Sequence, residues 1–139
     1  MTPTLGTEVR LSMSFADALE HTRAALLAEG FGIITTVDMQ KSFREKLNAD
    51  FRPYVILGAC NPPLAFKAMT ALPEIGLLLP CNVTVDEEAP GRVVVRLVNP
   101  TSMLGVNGMA GVPAVREVAA DAETRLARVA AALGRPVTR

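Results

Sequence analysis

Between residues 8 and 13 the chain alternates. Val9, Leu11 and Met13 are apolar, and Glu8, Arg10 and Ser12 are polar. A period of two predicts a strand with one face on a core and one in water. At Ser14 the period changes. Phe15, Ala18, Leu19, Thr22, Ala25 and Leu26 recur at spacings of three and four, one stripe of a helix. Ser14 is a residue type that caps helices, and Asp17 three positions on gives a weak capping box. Gly30 supplies the stop. Phe31 to Val37 is rich in β-branched residues and predicts a second strand. Asp38 then caps a shorter helix that carries Met39, Phe43 and Leu47 at spacing four.

The third predicted strand, Arg52 to Ala59, contains the apolar run Tyr54–Leu57, which predicts burial on both faces and a central place in a sheet. Asn61-Pro62-Pro63 reads as a helix start, with Asn as the cap and Pro in the first turn, where no amide hydrogen is missed. Leu64, Ala65, Ala68, Met69 and Leu72 form its stripe, and Pro73 ends it. A turn over Glu74 to Gly76 leads to an expected fourth strand, Leu77 to Val85. Pro90-Gly91 closes a polar turn into a fifth, Val93 to Val98, and this pair reads as a hairpin. A glycine-spaced loop over 105–111 precedes a last helix from about Pro113 to Leu133, ended by Gly134 and Pro136. The order is βαβαβαββα. Early crossovers suggest parallel pairs and the late hairpin an antiparallel one. Together they predict an α+β fold: a two-layer sandwich with a mixed or antiparallel twisted sheet of five to six strands and helices on one face.

Length and charge narrow the function classes. A chain of 139 residues is expected to form one domain, residues 1–139, able to bury roughly two-thirds of its unfolded surface without a metal or disulfide staple. Lys and Arg total 14, as do Asp and Glu. That balance disfavours a nucleic-acid partner. No Lys/Arg-rich amphipathic stretch points to a membrane surface, and no apolar run nears the roughly 18 residues of a membrane span. Met1 to Glu8 lacks the charged and apolar regions of a signal peptide. A cytoplasmic protein is expected, and its two cysteines are then expected to be thiols.

Those cysteines carry the chemistry the sequence offers. Each sits in a Cys-Asn dipeptide, Cys60-Asn61 and Cys81-Asn82, at the end of an apolar run. Cys60 directly precedes a helix cap, and the partial positive charge of a helix start favours a thiolate. Cys60 is therefore a candidate nucleophile, redox thiol or soft metal ligand, set against ordinary packing of a small apolar residue. Cys81 follows Pro80, which implies a strand start, an edge or a bulge. The spacing is not C-x-x-C, so neither a thioredoxin-type motif nor a zinc knuckle is supported. Asn61 is explained by capping; Asn82 in a strand must find partners in a backbone or a ligand. Lys46, close to Phe43 and Leu47, is a candidate base or anion contact. His21 reads as a helix-surface residue paired with Asp17. Neither the glycine loop nor any G-x-S-x-G gives a phosphate loop or a hydrolase elbow.

The segments Gly30-Phe31-Gly32-Ile33, Lys46-Leu47, Tyr54 to Pro62 with its Cys60-Asn61, Gly76 to Val83 with its Cys81-Asn82, and Asn99-Pro100-Thr101-Ser102-Met103-Leu104 together closely resemble the domain-of-unknown-function 302 family of bacteria and archaea. The resemblance runs from about residue 9 to 133. It implies a two-layer α+β domain related in shape to the TATA-binding-protein-like superfold, often paired as homodimers, with no established reaction. Fold analogy alone transfers no DNA binding. Three functional expectations follow. The first is a binding or carrier domain whose groove near Lys46, Cys60, Asn61, Cys81 and Asn82 holds a small ligand, a soft metal ion or a sulfur species, with Cys60 and Cys81 as metal candidates. The second is a thiol-dependent enzyme with Cys60 as nucleophile, Cys81 as resolving thiol and Lys46 lowering a thiol pKa. The third is an assembly module in which both cysteines are core.

Overall fold

The computed structural model describes residues 5–135. The end of the chain read above for a missing leader (Met1 to Thr4) and the helix stop at Pro136 lie outside the described residues. Five strands form one sheet in the order β1-β5-β4-β3-β2, where β1 is Gly6–Ser12, β2 Gly32–Asp38, β3 Tyr54–Cys60, β4 Cys81–Ala89 and β5 Arg92–Val98. All four pairings are antiparallel, so the parallel pairs suggested by the early crossovers are absent. The reason lies in the connections. Helix α1 (Phe15–Ala28) carries the chain across the sheet, from one edge strand to the other. Helix α2 (Met39–Leu47) and helix α3 (Pro62–Ala71) each return the chain beside the strand it has just left. They are long loops, not crossovers.

The predicted caps form. Ser14 Oγ accepts from the Asp17 amide at 3.1 Å, and Asp38 Oδ1 from the Lys41 amide at 3.0 Å. The last helix, α5, spans Pro113–Leu133, and Gly134 is its C-cap. Two stretches depart from the expected elements. Leu77 and Leu78 belong to a 3₁₀ segment, Pro73–Leu78, and the fourth strand starts only at Cys81, after a cis Leu79–Pro80 bond. The glycine-spaced loop is a 3₁₀ turn over Val106–Gly111, preceded by a short helix α4, Pro100–Leu104, capped by Asn99.

Period two then divides the sheet into two faces. Val55, Leu57, Val83, Val85, Val93, Val95 and Leu97 point to one side and make the main core with Leu26, Leu126 and Val129 from the helical layer and Phe31 from the link between α1 and β2. A second cluster, built on Ile75, Leu104, Val115 and Val118, joins the chain after α3 to α4 and α5. The opposite face of the sheet is mixed, with Ile56 and Val94 beside a group of charged side chains. There Asp86 is fully buried beneath two arginines: Arg52 donates to it at 2.6 and 3.2 Å, and Arg96 at 2.9 Å. Glu8, Arg10 and Glu88 extend this into a charged lattice.

Candidate functional site

Strand β3 ends at Cys60 and β4 begins at Cys81, and the two ends adjoin because Ala59 is paired with Cys81. The intervening chain, α3 and the 3₁₀ segment, arches away and returns. Beneath the arch is a pocket of about 260 Å³. Cys60 and Cys81 both line it, with Leu64, Ala65 and Met69 of α3, Leu79 and Pro80 before β4, and Ile34 at the rim. Apart from the two thiols, no ionisable side chain lines it among the described residues. Two of its lining residues, Ile34 and Met69, are also exposed to solvent.

Close backbone approach makes this end possible. A Cβ on Gly58 would lie 2.0 Å from Thr35 Oγ1 and 2.8 Å from Pro80 Cγ, so only glycine lets both crowd the strand. Asn61 lines the pocket, but its amide is committed to the fold. Its Oδ1 accepts from the Leu64 amide and its Nδ2 donates to the Glu29 carbonyl, both at 3.4 Å. The helix start beside Cys60 is electrically muted: Pro62 and Pro63 have no N–H, and the Leu64 N–H is taken by Asn61. The positive end of a helix acts through free amides, and this one presents none from its first three residues. Cys81 is buried, and loss of water, followed by the charge of Cys60, pushes its thiol up to about 11. Cys60 is half-buried.

The structure thus brings three of the five candidate residues together and leaves two elsewhere. Asn82 follows Cys81 in a strand, so it points to the other face, opposite Gly58, and is exposed. Lys46 is exposed on α2, which joins the far ends of β2 and β3, roughly 20 Å of strand from the cysteines. Met69, a third sulfur-bearing residue on the pocket wall, belongs to the apolar stripe of its helix in the sequence; its wall position depends on the arch. A larger, open cleft of about 960 Å³ lies between β1, α1 and the end of α5, and holds Arg10, Asp17, Glu20 and His21. His21 Nε2 reaches the Leu133 carbonyl at 3.3 Å there.

The fold and pocket define a class: an antiparallel α+β domain with an apolar, thiol-bearing cavity at one end of its sheet. The model of the family described as domain of unknown function DUF302 matches residues 7–133, and the chain belongs to that family. A solved structure, the uncharacterized conserved protein DUF302 from Bacillus stearothermophilus, is similar at 31% identity and a TM-score of 0.80, over 94% of this chain and 98% of that one. No curated protein matches. Among the described residues no helix is long and apolar enough to cross a membrane.

Proposed function

We propose that this protein is a small-ligand binding or carrier domain, and that the ligand sits in the pocket between Cys60, Cys81 and α3. One observation carries the reading: a concave, apolar site is lined by both cysteines and, among the described residues, by no other ionisable group. Such a wall favours an uncharged or soft ligand, because a hard ion would lose its water and gain no partner. The volume is at the small end for ligand sites. The thiol-enzyme alternative draws less support. It needs a Cys60 thiolate at neutral pH, and the helix start beside Cys60 offers it no free amide, with Lys46 distant from both cysteines.

The reading places the protein in the cytoplasm, supported by two free thiols. It includes no nucleic-acid partner, since Arg10, Arg52 and Arg96 are each held by carboxylates. It includes a homodimer, supported by the contrast of the two sheet edges. Strand β1 carries Glu8 and Arg10, which blunt an edge, whereas β2 exposes Ile34 and Val37. Sedimentation of the native protein and of Val37→Lys checks this: a dimer that the substitution splits is expected, and a native monomer contradicts it.

The ligand reading is tested with naphthalene, a neutral probe of suitable size. It is expected to raise the melting temperature of the native protein and not that of Ala65→Phe, whose ring fills the site. No shift in the native protein, or an equal shift in the variant, overturns the reading.

A further inference from the structure

Three sulfur-bearing residues line the pocket. Cys60 ends β3, Cys81 opens β4 beside Ala59, and Met69 lines the cavity from α3 with its side chain close to Gly76, where a Cβ would lie 3.7 Å from the Met69 methyl carbon. Among the described residues no group of three or more His, Cys, Asp or Glu side chains gathers to hold a metal. A site of two thiols and a thioether, without imidazole or carboxylate, is selective in a definite direction. Zn(II) completes a tetrahedron of thiolate, imidazole or carboxylate, and Ca(II) and Mg(II) require oxygen. Cu(I) is soft, monovalent and served by thiolate and thioether sulfur.

We propose that Cys60, Cys81 and Met69 form a Cu(I) site, which rests on the binding reading above and names its ligand class. On binding, each thiol loses its proton to solvent and each sulfur lone pair becomes a metal bond, with no change in oxidation state. Two protons are released per Cu(I) taken up. Burial without a partner disfavours a thiolate at Cys81; a bound cation supplies that partner. The Met69 thioether adds a neutral donor on a flexible stem, half-exposed at the mouth, where a metal enters.

The experiment is a competition without oxygen. Reduced protein is given Cu(I) as its acetonitrile complex and titrated with bathocuproine disulfonate, which reports copper withdrawn by its absorbance. One Cu(I) per chain is expected. Cys60→Ser and Cys81→Ser are each expected to weaken it by more than about a hundredfold and Met69→Leu by about tenfold, given that even supporting residues around a metal are worth 10–100-fold. X-ray absorption of the copper-loaded native protein gives a second readout, independent of variant folding: sulfur scatterers only. Copper lost at once to the competitor, unchanged affinity in the cysteine variants, or nitrogen and oxygen scatterers overturn the proposal. In the native protein, no copper binding with naphthalene still bound sinks the metal site alone; binding of neither sinks the pocket.

Discussion

Cys81 and Asp86 lie five residues apart on β4, both almost sealed from water, and on opposite faces of the sheet. Burial raises the proton affinity of each. On the mixed face it is overruled. Hydrogen bonds from Arg52 and then Arg96 outweigh the lost water, and the Asp86 carboxyl is held below its ordinary range. On the helical face no cation among the described residues approaches Cys81, so desolvation stands and the thiol stays protonated. One strand thus keeps a fixed charge at one end and a neutral, soft group at the other. Partners, not depth, decide the charge state of a buried group. The charged end serves stability, and the neutral end leaves a cavity fit for a ligand.

Five substitutions or titrations break or sharpen that contrast. The largest effect is expected from Asp86→Ala, which strips two arginines of their buried partner. It is expected to cost about 3 kcal/mol, moderated because both arginines can turn to water. That is a fall of roughly 10 °C in melting temperature. Asp86 also shapes the acid limb. Its carboxyl has a lowered pKa when folded, so its contribution is complete above about pH 4 and lost as pH falls through the folded value. The stability gap between native protein and Asp86→Asn is expected to close there in urea titrations.

Cys81 is expected to govern the alkaline limb with the opposite sign. A thiol raised to about 11 holds its proton when folded and releases it near 9 when unfolded. Stability is complete below pH 9 and falls on the order of 2 kcal/mol as pH rises to 11. Cys81→Ala is expected to flatten that decline; an unchanged slope would assign it to other groups. Gly58→Ala joins the two regions sterically, with its new methyl against Thr35 and Pro80, and is expected to cost about 2 kcal/mol. Adding Thr35→Ala is expected to recover part of it, a coupling that two independent sites would not show. The smallest effect is expected from Cys60→Ser, half-buried and without a structural partner, within about 0.5 kcal/mol by chemical denaturation.

Much of the fold was legible because its signals are local. Ser14, Asp38 and Asn61 cap where a polar side chain precedes an apolar stripe, and each accepts the amide three residues on. Strand pairing was not legible, because a helix between two strands says nothing of whether the chain crosses the sheet or turns back. The start of β4 was misplaced since Leu77 to Leu79 read as an apolar strand, whereas Leu78 and Leu79 pack on the second core cluster. The Asp86 lattice draws on residues up to 78 positions away, beyond any local pattern. The outward direction of Asn82 follows from the sequence alone once Cys81 is taken as inward, because successive side chains in a strand point to opposite faces. The position of Lys46 depends on where α2 hangs, which periodicity does not encode.

The central claim is that the thiol end of the sheet, and not the larger polar cleft beside His21, receives a small soft or apolar ligand. Methyl-labelled protein titrated with naphthalene tests it directly by magnetization transfer between ligand and methyl protons. The account predicts contacts to Met69, Leu64 and Leu79. Contacts to Met13 and Leu133 in the polar cleft, or none at all, would contradict it.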